Sequence, residues 1–180
     1  ENIQNQFFNC NNITVIEKVI CNYNGKTKIT SLYGAENTIM LDPKINLQMT
    51  HHNKKTSNKT EEVDATTLQN LCEQNEIDEI DFIKIDIEGS EPLLTEDLNK
   101  LKPKLIFIEI SDKNIEASYQ KMFDILKNTY KIYDNQLKAI DDMKFFISDL
   151  FAKKVSIYNV SVSDVWLVRK DINKLKSFSF

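Results

Sequence analysis

The stretch that decides the fold is Asp81-Phe-Ile-Lys-Ile-Asp-Ile-Glu-Gly-Ser-Glu91. Its first part, Phe82 to Ile87, is apolar except for one lysine and one aspartate, which is typical of a strand buried on both faces of a parallel sheet. Gly89 follows, and glycine suits a sharp exit from a strand because it adopts positive φ without a Cβ clash. Pro92 is then a helix-start signal. The stretch therefore predicts a strand, a tight turn and a helix.

Strands and helices are predicted to alternate on the carboxyl side of this stretch, which indicates a doubly wound α/β sheet in a single domain over residues 1–180. We expect a frayed tail over residues 170–180. The predicted elements are a helix Glu91–Leu101, a strand Leu105–Ile110, a helix Asn114–Tyr130, a strand starting at Lys131–Tyr133, a helix or irregular insertion over 136–153, and a closing strand Val160–Val168.

The amino-terminal half predicts a hairpin. Ile13–Ile20 is rich in β-branched residues, and the Asn24-Gly25 turn favours pairing with a returning strand Lys26–Tyr33. Residues 34–60 are the least regular part, and we expect a mobile, functional loop over 44–60.

A short strand and a capped helix are predicted next. Glu62–Leu68 alternates between polar and apolar residues, which indicates the strand. Thr67 can cap a helix that runs from Leu68 to about Gln74.

Composition excludes several classes of function. The net charge of −4 argues against a general nucleic-acid binder, and no apolar run approaches the ~20 residues of a membrane span. The odd, widely spaced set of Cys10, Cys21 and Cys72 forms neither a disulfide framework nor a metal-ligand spacing. We therefore predict a reducing, cytoplasmic location.

Three carboxylates, Asp86, Glu88 and Glu109, are predicted at the carboxyl ends of neighbouring strands. Ligands bind at that edge of open α/β sheets, where a carboxylate can act as a general base or, in a cluster, hold a divalent metal. Alternatively, Glu88 or Glu91 caps the following helix through its exposed N–H groups. Lys84 lies mid-strand, so we expect it to pair with one of these carboxylates or to reach the sheet edge.

The stretch Asp81–Glu91 closely resembles the D-x-x-K-x-D-x-E-G-x-E motif of FkbM-family methyltransferases, which use S-adenosylmethionine. Thr66–Leu71 resembles the T-L-D-x-L segment that precedes this motif, with Gln69 where the family usually has Asp. The weaker similarities, which together extend over most of residues 1–169, are at Val15–Gly25, Lys104–Ile110, Tyr130–Tyr133 and Asp164–Arg169.

The resemblance implies a Rossmann-like class I methyltransferase sheet with helices on both faces. It also implies methyl transfer from S-adenosylmethionine, most simply to a hydroxyl of a sugar or other small metabolite. Asp86 would accept or orient the hydroxyl proton, and Glu88 and Glu109 would shape the acceptor or metal site. We assign no residue as a metal ligand.

One departure from the family concerns its first two strands, which carry a Gly-rich loop for the methionine end of the cofactor and an acid for its ribose. Neither can be carried onto a residue here, so we expect the chain to be the carboxyl-terminal two thirds of such an enzyme, lacking the first strands. By position alone, Ile20 and Cys21 would approach the adenine. We expect poor binding of S-adenosylmethionine by this chain alone, and association through the unpaired edge of Phe82–Ile87.

Two other functions remain open. A non-catalytic binding or scaffold domain would keep the sheet without the cofactor half, and a carboxylate-metal hydrolase would use the same three acids. A strand followed by D-x-G-x-x-x-G upstream of Glu1 would favour the methyltransferase. Activity that follows added metal and ignores S-adenosylmethionine would favour the hydrolase.

Overall fold

A computed structural model describes residues 12–31, 37–39, 59–87, 89–110, 116–152 and 163–172. Within these ranges the chain forms two four-stranded sheets and four α-helices. The strands are β1 (Val19–Ile20), β2 (Gly25–Ser31), β3 (Asn37–Ile39), β4 (Lys59–Thr66), β5 (Phe82–Ile85), β6 (Leu105–Ile110), β7 (Tyr130–Asp134) and β8 (Ser163–Arg169). The helices are α1 (Leu68–Gln74), α2 (Thr95–Leu101), α3 (Glu116–Leu126) and α4 (Met143–Ala152), and a 3-10 turn, Glu91–Leu94, leads into α2.

The first sheet has the strand order β1-β4-β2-β3, and the predicted hairpin is wrong. β2 pairs antiparallel with β4 along its whole length, and the two-residue β1 lies parallel to β4 on its other side. The side chain of Asn24 explains the difference. Its Oδ1 accepts hydrogen bonds from the Thr66 hydroxyl (3.0 Å) and the Thr67 N–H (3.1 Å), so the chain before β2 is tied to the end of β4.

The second sheet has the order β5-β6-β8-β7 and carries the elements that alternate along the chain. β5 and β6 are parallel, while β8 is antiparallel to both β6 and β7. The strands and helices predicted after Asp81 are all present, so the mixed α/β class is confirmed. A single continuous sheet is not confirmed, because the strands described here form two separate sheets.

One face of the second sheet forms the core. The register places Ile106, Leu167 and Ile132 side by side, and each of the four helices contributes buried residues to the same cluster. The other face does not belong to this cluster: Phe82 is 52% exposed, whereas Ile85 on the core face is buried. We expected helices on both faces of the sheet and a central strand buried on both faces. Neither expectation is met in the part described. β5 is an edge strand there, with β6 as its neighbour.

Local signals around the helices are confirmed. The hydroxyl oxygen of Thr67 accepts the N–H of Asn70 at 3.0 Å and caps α1, which spans the predicted residues. Pro92 lies in the first turn before α2, and Lys102 ends that helix with a left-handed φ of 49°. A single turn of 3-10 helix at Glu91–Leu94 is the difference from the predicted continuous helix.

Several expectations fall outside the described residues, namely those for Glu88, Cys10, most of the 44–60 loop and the tail from residue 173. Cys21 and Cys72 are buried and free. Among the helices that the structure describes, none has the length and apolar character needed to cross a bilayer.

Candidate functional site: a carboxylate and lysine cluster at the ends of β5, β6 and β8

Asp86 lies directly after β5 and is paired with Lys84. The two side chains point to the same face because they are two residues apart in extended chain. The Lys84 Nζ donates to Asp86 Oδ2 at 2.5 Å, and both side chains are partly exposed, at 53% and 36%. The expectation that Lys84 pairs with a nearby carboxylate is confirmed. Asp86 is thus an ion-paired group that is partly in contact with solvent.

Glu109 lies on the same face as Lys84 and near the same end of the sheet. Lys84 is opposite Phe107, and Glu109 follows two residues later on β6. Asp164 of β8 is directly opposite Glu109 in the antiparallel register. The hydrogen bond that Lys84 donates to Asp86 is the largest cause that raises the pKa of Lys84. Burial opposes this shift, and the charges of Glu109 and Asp164 add to it.

The structure thus brings together two of the three predicted carboxylates, Asp86 and Glu109, around one ammonium group. It adds Asp164, which sequence reasoning missed. Asp164 lies in a predicted strand. Its position opposite Glu109 depends on the antiparallel register, which the sequence does not reveal. Carboxylate oxygens such as those of Asp86 and Asp164 can accept hydrogen bonds from hydroxyl or amine groups of a ligand.

A shared metal site does not emerge from the part of the chain that the structure describes. There, no group of three or more His, Cys, Asp or Glu side chains is arranged to hold an ion. Lys84 offsets part of the cluster's negative charge.

Glu91 lies in the turn between β5 and α2, and its role differs from helix capping. The side chain is fully buried and accepts hydrogen bonds from the N–H groups of Ile87 (3.0 Å) and Gly89 (3.3 Å), which precede it. Its other oxygen accepts the hydroxyl of Tyr119 on α3 at 2.7 Å. Glu91 therefore binds the turn that follows Asp86, rather than the first N–H groups of the helix.

Ile20 and Cys21, the predicted cofactor-binding residues, lie at the end of β1 in the first sheet. Ile20 packs against the core cluster. Cys21 is buried, its N–H donates to the Thr66 carbonyl at 2.9 Å, and its thiol contacts the carbonyl of Tyr23 at 3.3 Å. The contacts described for both residues are contacts within the protein, and a cofactor contact for them stays a prediction.

The described residues fit the acceptor side of a methyl-transfer site better than the donor side. The chain has three glycines, of which two are described: Gly25 begins β2 in the first sheet, and Gly89 lies in the turn after β5. They do not form the Gly-rich loop that the resemblance implies, nor does a described strand supply the corresponding ribose acid.

An open cleft lies away from this cluster. The cleft has a volume of about 470 Å³ and is lined by residues of α1, of the segment after it and of the end of α2. It shares no residue with the carboxylate and lysine cluster, and it adjoins the segment that leads into β5 rather than the end of that strand.

In this mixed α/β domain, the motif Asp81–Glu91, which resembles that of FkbM-family methyltransferases, forms β5 and the turn after it, and acidic groups lie at the ends of β5 and β6. The family comparison agrees, since the model of the Methyltransferase FkbM domain matches residues 2–133. The match covers well over half of the chain, so the chain belongs to the FkbM methyltransferase family. Neither a curated protein nor a solved structure matches the chain.

Proposed function

We propose that this domain transfers a methyl group from S-adenosylmethionine to a hydroxyl oxygen of a sugar or another small metabolite, on a Rossmann-like class I sheet. Family membership indicates methyl transfer in general terms. The observation that carries the assignment of the site is the position of Asp86, ion-paired with Lys84 at the carboxyl end of β5 beside Glu109. In open α/β sheets, that edge is where ligands bind.

Asp86 is the group to which we assign the acceptor's proton. A hydroxyl oxygen that gains a methyl group must lose its proton, and a nearby carboxylate can take it. The bond from Lys84 holds one oxygen of Asp86, which leaves the other oxygen for the acceptor hydroxyl. The short aspartate side chain on a strand end gives this oxygen a defined position.

Glu109 is assigned to the acceptor site together with Glu88, and we now add Asp164. Sugars present several hydroxyl donors close together, and carboxylate oxygens accept such donors readily. Glu109 and Asp164 lie opposite each other across β6 and β8, so they offer adjacent acceptors on the face that carries Asp86. Much of the contribution would be orientation of the acceptor, for which fixed groups are effective.

The experiment uses the full-length protein with methyl-labelled S-adenosylmethionine. The acceptors are a panel of monosaccharides, disaccharides and non-sugar alcohols, with matched deoxy compounds that lack single hydroxyls. We expect label in one class of acceptor and loss of labelling when the methylated hydroxyl is absent. Absence of transfer to every hydroxyl compound would overturn the proposal.

A non-catalytic scaffold domain remains the second candidate, because the donor-binding features are absent from the described residues. Titration calorimetry with S-adenosylmethionine separates the two functions. Saturable binding by the full-length protein supports the enzyme. Absence of both binding and transfer supports the scaffold. Hydrolysis that depends on added metal and not on S-adenosylmethionine would support the carboxylate-metal hydrolase.

A further inference from the structure

The turn after β5 contains a carboxylate that is completely shielded from solvent. Glu91 has 0% exposure, and taking an ionised carboxylate out of water is costly unless hydrogen bonds replace the lost hydration. Three donors serve this purpose, the N–H groups of Ile87 and Gly89 and the hydroxyl of Tyr119. These three bonds connect Glu91 to two backbone groups of the turn and to one side chain of α3.

Two of these donors belong to the backbone directly after Asp86. The N–H groups of Ile87 and Gly89 both bind Glu91 Oε1, at 3.0 and 3.3 Å, so one oxygen holds the turn on both sides of position 88. Gly89 has a φ of 91°, a conformation that L residues rarely adopt. Ser90, the N-cap residue that precedes the 3-10 turn, makes no capping bond with its side chain. Glu91 is therefore the side chain that holds this turn in place.

The third donor connects the turn to the neighbouring strand–helix unit. Tyr119 belongs to α3, the helix that follows β6, and its hydroxyl reaches Glu91 Oε2 at 2.7 Å. β6 carries Glu109, so the bond between Glu91 and Tyr119 links the exit from Asp86's strand to the helix after Glu109's strand. Both ring and carboxylate are inaccessible to solvent, so neither can contact an acceptor in this arrangement.

We propose that Glu91 and Tyr119 are positioning residues, which fix the turn after β5 and thereby hold Asp86 in place relative to Glu109. This inference rests on the proposed function for its catalytic consequence and on the hydrogen bonds alone for its structural part. Misplacement of a reacting group by about 1 Å can cost on the order of 10²-fold in rate.

The test compares Glu91→Gln and Tyr119→Phe with two control variants. Tyr130→Phe also removes one buried hydroxyl, which binds the Pro103 carbonyl at 3.0 Å near the opposite end of the sheet. Asp97→Asn neutralises another largely buried carboxylate, which accepts the N–H of Gln69 at 3.2 Å between α1 and α2. Each control changes a buried hydroxyl or carboxylate of the same kind without touching the turn.

We expect kcat to fall by roughly 10-fold in Tyr119→Phe and by about 10²-fold in Glu91→Gln, with the KM for S-adenosylmethionine nearly unchanged. The controls should also lower the melting temperature. They should keep kcat within about twofold of wild type, because a loss of stability alone does not move Asp86. An equal fall of kcat in the controls would overturn the positioning role. Unchanged kcat in both Glu91→Gln and Tyr119→Phe would overturn it as well.

Amide hydrogen exchange gives a readout that does not depend on activity. We expect the amides of Ile87 and Gly89 to exchange at least about 10-fold faster in Glu91→Gln, and faster in Tyr119→Phe, while β6 amides keep their rates. Unchanged exchange at both amides would overturn the inference. If the wild-type protein methylates no acceptor, the proposed function fails, and the exchange rates still decide whether Glu91 holds the turn.

Discussion

At the residue scale, the chemistry of the central stretch was predictable where it depended on neighbours in the chain. The cost of a charge in mid-strand predicted that Lys84 would pair, and Asp86, two residues away, is its partner. Asp164 was not predictable because its proximity to Glu109 depends on strand register. The alternative that Glu91 caps the following helix is wrong, because its reach back to Ile87 depends on how the turn folds.

Ser90 provides a test of the turn itself. Its hydroxyl is buried and makes no hydrogen bond to the residues that the structure describes, an arrangement that costs free energy relative to an apolar group of the same shape. We expect Ser90→Ala to leave the free energy of unfolding unchanged or to raise it by up to about 1 kcal/mol. Chemical denaturation measures this difference. A loss of more than about 1 kcal/mol would show that the hydroxyl has a stabilising partner after all.

Tyr130 predicts a loss of stability at alkaline pH. Burial is the main cause that raises the pKa of its phenol to about 12, from an ordinary 10.0, although the charge of Arg169 opposes the shift. The folded chain keeps this proton where the unfolded chain releases it, so the stabilisation is complete below pH 10.0 and is lost as the pH rises towards about 12.

The measurement compares the free energy of unfolding of wild type and Tyr130→Phe across that pH range. The wild-type value should fall more steeply, because phenylalanine has no proton to lose. The variant should also be less stable by about 1 kcal/mol at neutral pH, through loss of the bond to Pro103. Parallel pH profiles of the two proteins would contradict the prediction.

At the element scale, elements set by local signals were predicted well. The cap at Thr67 and the extent of α1 follow from neighbouring residues, and so do the start and end of the helical segment at Pro92 and Lys102. The hairpin failed because an Asn-Gly turn signal competes with tertiary contacts. Asn24 binds Thr66 and the backbone of Thr67, so β2 pairs with a strand distant in sequence.

The cap of α1 allows a direct test. Thr67→Ala removes the oxygen that accepts the Asn70 N–H, and we expect it to lower the free energy of unfolding by about 1 kcal/mol. Thr67→Ser keeps that oxygen and should restore most of the loss. Denaturation curves for both variants decide the matter, and equal stabilities for alanine and serine would show that the cap contributes little.

At the scale of the whole molecule, the α/β class was predictable from the order of elements, whereas exposure of β5 was not. An apolar run predicts burial on both faces only if some element covers each face. In the part of the chain described here, β5 pairs with β6 alone, and Phe82 is half exposed and stacks on Trp166 at 6.3 Å between ring centroids. Periodicity cannot indicate which strand lies at an edge.

This edge predicts association of the 180-residue chain with itself. An edge strand with exposed apolar groups offers unpaired backbone groups to another copy. We expect mass by light scattering to increase with protein concentration, and Phe82→Lys to reduce the increase. Phe145→Lys is the control, because Phe145 is also exposed but lies on α4. A monomer at all concentrations, or equal suppression by both variants, would contradict the prediction.

The most direct test of the central claim is methyl transfer by Asp86→Asn beside Asp81→Asn, in the full-length protein. Both aspartates flank the same strand and pair with a lysine, Asp86 with Lys84 and Asp81 with Lys104 at 2.7 Å, but they lie at opposite ends. Exposed ion pairs contribute little to stability, so both variants should melt close to wild type.

We predict that Asp86→Asn lowers kcat by roughly 10²-fold or more, as expected for loss of a general base, while Asp81→Asn stays within about twofold of wild type. Near-normal turnover in Asp86→Asn, or unfolding of that variant alone, would contradict the account and make Asp86 a structural residue.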